Sequence, residues 1–402
     1  MRRPSDVTLE IRLLSRSTGQ PHPLAEQHII FIATRSRPLD IIGVHIEIAG
    51  DFLIYLIYFE AVSQNKDMFS LVRWKKGDVH SVSLSVTARS STIAQSSVYA
   101  QLQSFIWGSQ EYFSFLSQDT IVIPELYHNT LDVSKIVIDS DDTPRLVPLC
   151  VLHLPPLTQG ASLYDIHCRA QPNPTSWGPI SISSSSDRPF CDKTEDAIII
   201  FDICYSRSGT ESITFIVHRS ALLAHVPVAP GAYATFCSAP EGTAPDVVHV
   251  PWSAWGPTTT RWFKGEHTSM SWMTRTAGQR AVTMGGSMPS PILVRDFNPY
   301  AVRAACAPAS ASGKSPQGNW SMQLPNGNRM TVNVMKSVLA AGPIFVRSSL
   351  PYVEIVTQNK YHYDGVMIDD QRILGFNVRF VTLCCQPVYQ FVLNFHFLSR
   401  AT

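Results

Sequence analysis

Cys168 follows His167, placing the thiol and imidazole of a nucleophilic pair side by side. The two are neighbours in sequence only, whereas catalytic Cys/His pairs meet in space. Asp139, Asp141 and Asp142 could surround a hard cation such as calcium, which takes several oxygen ligands. The run lacks the loop glycine and distal glutamate of a calcium hand, and a solvated turn is the simpler reading. Asp369-Asp370 reads the same way. A serine hydrolase needs a Gly-x-Ser-x-Gly elbow between strand and helix; Gly209-Thr210-Glu211-Ser212 is a hairpin turn instead. Gly285-Gly286 is a turn, and Gly313-Lys314-Ser315 lacks the preceding glycine spacing and strand of a phosphate loop. Nothing points to the two carboxylates across one cleft that a glycosidase uses. The expectation is a non-enzyme with no catalytic residue, no cofactor and no metal.

Binding is the chemistry with a local signal. Val250-Pro251-Trp252-Ser253-Ala254-Trp255-Gly256-Pro257 is followed by Thr260-Arg261-Trp262-Phe263, and Trp272 lies close behind. Trp and Arg are enriched at interface hot spots because they bury large area at low entropic cost. Trp252, Trp255, Arg261, Trp262 and Trp272 are therefore the candidate partner-binding residues. The competing reading is that the tryptophans pack between sheets, each N–H finding a carbonyl. His218 and His225, on a strand and the turn after it, read as structural.

The elements that must position these residues read as strands. Asp51 to Glu60 is apolar at odd and even positions alike, the mark of a strand buried on both faces. Met68 to Trp74, Val79 to Val86, Tyr112 to Leu116, Thr120 to Ile123, Leu131 to Ile138 and Leu146 to Leu154 follow. Ala197 to Cys204 and Ser212 to His218 flank a turn; Ala281 to Met284, Pro291 to Arg295, Tyr352 to Thr357 and Gly365 to Ile368 come later. Turn clusters recur between them, among them Lys76-Gly77-Asp78, Asp141-Asp142-Thr143-Pro144 and Pro325-Asn326-Gly327-Asn328. Short strands at near-regular spacing predict an all-β fold: a degenerate β-propeller, complete or incomplete, built from short antiparallel strands, with two stacked sandwiches as the rival. Helical signals are local, at Val98 to Ile106 and Pro299 to Ala305. Residues 1–402 read as one domain, with loose loops at 171–186 and 307–318.

Composition narrows the partners. Lys plus Arg is 32 and Asp plus Glu is 31, which gives no electrostatic case for nucleic acid or an anionic membrane. Charged residues are only 16% against a usual ~25%, in keeping with segments covered on both faces. The longest apolar run, Phe52 to Phe59, is far short of the ~20 residues that span a bilayer as a helix. Met1-Arg2-Arg3-Pro4 is basic but no apolar stretch follows, so no signal peptide is read. The cysteines, Cys150, Cys168, Cys191, Cys204, Cys237, Cys306, Cys384 and Cys385, form no CxxC and read as buried hydrophobes in a reducing compartment. The expected location is intracellular, cytoplasmic or nuclear.

Several strings together resemble one family. They are Leu9 to Glu26, Phe69 to Gly77, Tyr112 to Asp139, Pro144 to Leu157, Thr214 to Val226, Val250 to Phe263, Ile292 to Ala304 and Leu350 to Phe376. In combination they resemble the C-terminal, propeller-like region of the F-box proteins of mushroom-forming fungi (Agaricomycetes). The resemblance implies a substrate-recognition module of a ubiquitin-ligase adaptor, with a protein target and, through an F-box, a Skp-type adaptor and a cullin. No F-box is visible here. No Leu-Pro-x-Glu helix start precedes residue 50, and Pro124-Glu125-Leu126 lies within β-type sequence. The adaptor and cullin are thus expected only if an F-box lies upstream. Residues 377–402 depart from the family pattern and are unusually apolar.

Overall fold

Leu53, Ile54, Tyr55, Leu56 and Ile57 are all buried, and their alternation sends them to opposite faces of one strand. A sheet covered on both sides is the arrangement such a run demands, and the rest of the chain repeats it. The computed structural model describes residues 7–15, 18–35, 41–59, 68–76, 78–80, 112–174, 194–205, 211–227, 247–265, 275–286, 288–311, 319–369, 372–381 and 390–398. The fold is all-β, and the described strands form seven sheets.

Sheet 1 is β1 (Val7–Arg12) paired with β2 (Ile29–Arg35). Sheet 2 is the meander β3 (Ile41–Ala49), β4 (Phe52–Phe59), β5 (Met68–Arg73) and β6 (Asp78–His80). Sheet 3 is β7 (Ser114–Phe115), β8 (Thr120–Glu125), β9 (Thr130–Ile138) and β10 (Pro144–His153). Sheet 4 begins with β11 (Asp165–Arg169), β12 (Ile198–Cys204) and β13 (Ser212–His218). After the short helix α1 (Arg219–Leu223), the chain returns to sheet 3 as β14 (Val248–Val250), the one parallel pairing among the described strands. Helix α2 (Trp252–Thr259) then leads to β15 (Thr260–Lys264), which completes sheet 4 against β13.

Sheet 5 is built on β16 (Thr276–Ala277), β17 (Arg280–Met284) and β18 (Ser290–Asp296). Helix α3 (Pro299–Ala311) follows, and the hairpin β19 (Trp320–Gln323) and β20 (Arg329–Asn333) joins the far edge of the same sheet. A separate ribbon, β21 (Ser337–Ala341) and β22 (Ile344–Ser348), precedes β23 (Tyr352–Tyr361), which inserts between β18 and β20. Sheet 6 is β24 (Gly365–Ile368), β25 (Ile373–Val381) and β26 (Gln390–Leu398).

The sheets stack face to face in chain order. Leu53, Tyr55 and Ile57 face Ile30 of sheet 1, whereas Ile54 and Leu56 face Phe115 and Ile121 of sheet 3. Ile199, Phe201 and Ile203 meet Val133 and Leu152 of sheet 3, whereas Ile198 and Ile200 meet Ala281 and Tyr352 of sheet 5. Val282 and Met284 then pack on Val366 and Ile368 of sheet 6. Successive propeller blades make a stack of this kind; no closed propeller is seen among the described residues.

One local expectation is corrected. The tryptophan segment holds the helix α2, whose Pro257 contributes no N–H. The loose stretch 307–318 is helical as far as Ala311, because Val302 and Cys306 anchor α3 on Val332 and Val353. The helix expected at Val98 to Ile106, and residues 175–186 of the other loop, lie outside the described residues. Residues 373–381 and 390–398 pair as antiparallel strands, so the divergent C-terminal stretch contributes to sheet 6. No described helix is long and apolar enough to cross a membrane.

Candidate functional site

The tryptophan segment is a strap across the interface between sheets 3 and 4. A parallel strand cannot be reached by a tight hairpin. β14 therefore docks on the outer edge of β10, with Val151 opposite His249, and α2 carries the chain back to sheet 4. Pro257 weakens the hydrogen-bond ladder of α2. Its last carbonyls are taken by hydroxyls: Thr259 donates to Trp255 O, and Thr260 donates to Gly256 O at 2.6 Å. The turn of α2 stacks Trp252 over Gly256, where an added Cβ would come within 1.9 Å of the indole ring. Glycine is needed there for close approach.

The strap turns its aromatic side inward. Trp262 stacks on Phe215 at 4.6 Å, and Phe215 on Phe201 at 4.5 Å. Trp252 meets Trp255 and Trp262 edge-on at 5.0 and 5.7 Å. The buried indoles are satisfied: Trp255 Nε1 donates to His153 O at 2.9 Å, and Trp262 Nε1 to Thr260 Oγ1 at 3.0 Å. Arg261 is buried on the opposite face, where it donates to Met335 O at 2.9 Å and lies over the Tyr352 ring at 5.0 Å. Burial lowers its pKa, against the opposing pull of Tyr352.

Of the five expected partner-binding residues, Trp255, Arg261 and Trp262 are thus inside, and Trp252 is half-buried. They do not form an exposed patch, because the large apolar faces of sheets 3 and 4 have to be sealed where the strap crosses. Trp272 lies outside the described residues.

A second set of polar side chains gathers where the first strands of sheets 2, 3 and 4 meet. His45 and Glu47 on β3 are 2% and 6% exposed. Glu47 Oε2 accepts the Phe115 N–H at 3.2 Å, and His45 Nε2 lies 3.2 Å from Phe113 O. The pair occupies the edge of β7 that no described strand covers. Buried backbone groups must find partners, and here side chains supply them. On β11, His167 Nε2 lies 2.5 Å from Asp165 Oδ2. Tyr112 fills the space between, 5.6 Å from the His45 ring and 4.1 Å from the His167 ring. Arg219, fully buried, donates to Pro172 O at 2.6 Å and Thr194 O at 2.9 Å. Burial pulls it down to about 10, against the raising charge of Glu47.

Sequence reasoning passed over His45 and Glu47. The usable signal was two polar residues at i and i+2 in an otherwise apolar strand, which share one face. Cys168, adjacent to His167 in sequence, faces instead into the core between sheets 3 and 4, where burial pushes its thiol well above the ordinary range. Cys150 and Cys204 are pushed up to about 11, also by burial. Raised thiol pKa values work against the thiolate form that nucleophilic chemistry needs.

The acidic turn serves as a tether. Asp142, at φ 65°, pairs with Arg73 and with Lys76 at 3.2 Å, and Asp139 pairs with Arg145 at 2.6 Å. Asp369 pairs with Arg372 at 3.0 Å. His218 Nδ1 lies 2.8 Å from Asp196 O, a contact that fixes the entry to α1. Between sheets 4 and 5, Ile200, Thr214, Phe263 and Arg275 help line a cleft of about 20 Å³, room for a single water. Among the described residues, no group of three or more His, Cys, Asp or Glu side chains is arranged to hold a metal ion.

No protein-family model matches the chain, and comparisons with curated proteins and with solved structures return no match.

Proposed function

We propose that this chain is a non-enzymatic protein-binding module, resembling the substrate-recognition region of an F-box ubiquitin-ligase adaptor. The observation that carries the reading is an inversion along β3. Its polar residues, His45 and Glu47, are buried, whereas Val44, Ile46 and Ile48 are 46%, 45% and 42% exposed. The ionisable groups there are committed to holding sheets together, and an apolar row is turned to solvent on an edge strand. Contiguous exposed apolar surface is the usual substrate of protein recognition. In this reading the chain holds a target, and any ubiquitin transfer is done by partners.

The test is purification of the tagged full-length chain from its native cells, followed by mass spectrometry. Skp-type adaptor and cullin peptides, retained through washing, would support the F-box reading, and loss of a co-purified target when Val44, Ile46 and Ile48 are replaced by lysine would support recognition through β3. A stable target without adaptor or cullin would make it an orphan binding scaffold with no ubiquitin role. Turnover of a glycoside or an ester by the purified chain would overturn the non-enzymatic reading.

A further inference from the structure

His153 ends β10 and His249 is the middle residue of β14. The parallel register sets Val151 opposite His249. His153 is two residues beyond Val151, so both imidazoles project from the same face of sheet 3. Nε2 of His153 lies 3.2 Å from Nδ1 of His249, in an exposed setting, with the rings 5.4 Å apart and inclined by 32°. Two nitrogens bound to one tetrahedral zinc at ~2.0–2.1 Å stand about 3.3 Å apart, from the bond length and the tetrahedral angle. The backbone register has therefore brought two imidazole nitrogens to the separation that a shared metal ion requires.

The neighbours favour a cation. Asp132 of β9 is opposite Val151 and so on the same face. Its carboxylate accepts from Thr130 Oγ1 at 2.9 Å, and burial raises its pKa. Glu125 of β8 faces Thr130, and its Oε2 is 2.6 Å from His128 Nδ1. Two carboxylates thus share the face with the imidazole pair. Imidazole suits zinc, copper and nickel, whereas calcium and magnesium prefer oxygen.

We propose that His153 and His249 form a two-imidazole site for a first-row divalent transition metal, with water completing its coordination. Two protein ligands leave the ion open to exchange, unlike a closed four-ligand structural zinc. The consequence lies in the strap. β14 is three residues long and, among the described strands, joins sheet 3 through its pairing to β10. A metal bridging the two strands would fasten the strap at its outer end, and an ion bound only by the folded state raises apparent stability by mass action.

The full-length chain, stripped with chelator, is titrated with zinc chloride by calorimetry and with cobalt chloride by visible absorption. The expected result is one saturable equivalent, cobalt d–d bands of nitrogen ligation, and a melting temperature that rises with zinc. His153→Gln and His249→Gln, each checked for native circular dichroism, should abolish the saturable uptake and the zinc-dependent rise. No saturable uptake by the wild-type chain would overturn the proposal and leave the pair a hydrogen bond. Uptake unchanged in both variants would overturn it equally, by placing the metal on other histidines of the 13 in the chain.

Discussion

Between sheets 3 and 4, Phe201, Phe215 and Trp262 form a continuous stack, and the tryptophan strap closes it from the side. At the edge of β7, by contrast, His45 and Glu47 reach across from sheet 2 to the amide of Phe115 and the carbonyl of Phe113. Both are buried contacts between neighbouring sheets. The first is non-directional: its stabilisation scales with apolar area, and a small slide of one sheet changes little. The second is directional: each contact exists at one register only, and a buried amide that loses its acceptor bears the full desolvation cost. The apolar interface supplies stability, and the polar edge sets where sheet 2 sits against sheet 3.

The two kinds of contact should therefore break differently. The largest effect is expected at the stack. Trp262→Ala removes a buried ring and leaves a cavity that flanking strands cannot close, a loss of about 3–5 kcal/mol. It is read as a lower midpoint in urea, and Trp262→Phe should recover most of it because stacking on Phe215 persists. An alanine variant as stable as the parent chain would mean that the strap does not seal the interface.

The polar edge should be next. Glu47→Leu keeps the bulk but leaves the Phe115 amide without its acceptor, at a cost of about 1–3 kcal/mol. Glu47→Gln retains a carbonyl that can accept from that amide and should lose less. Hydrogen exchange at Phe115 gives the specific readout: fast in the leucine variant, protected in the glutamine variant. Equal protection in both would remove the edge-capping role and leave Glu47 a mere space-filler.

The same contrast explains what could be read in advance. Apolar faces are legible, because burial acts on each residue through its own side chain. Asp51 to Glu60 reads as a strand covered on both faces, and β4 is one; Gly365 to Ile368 is β24 to the residue. Partnerships between distant segments leave a weaker mark. Alternation in β3 shows that odd and even residues face opposite ways, but not that the polar set turns inward; the far-off edge of β7 decides that. β14 pairs with a strand almost a hundred residues earlier, and nothing within Val248–Val250 names that partner. The aromatic density of the strap was visible, but hot-spot residues and core residues are the same residue types. Only the position of sheets 3 and 4 separates the two readings.

The smallest effect is expected at the tether between Asp142 and the pair Arg73 and Lys76, which links the turn after β9 to the end of β5. Hydrogen bonds from Arg73 and Lys76 hold the Asp142 carboxyl below its ordinary value. A carboxyl whose folded pKa is depressed contributes stability that is present above its unfolded pKa of ~3.9 and is lost as pH falls through the lower folded value. Asp142→Asn keeps a residue that tolerates positive φ while removing the charge. It should leave the midpoint at neutral pH little changed, since exposed ion pairs are weak and screened by salt. The distinguishing measurement is the slope of stability against pH below 4, which should be shallower in the asparagine variant than in the parent chain. An identical slope would show that the turn is held by its backbone alone, and that sheets 2 and 3 are registered by His45 and Glu47 without help from the surface.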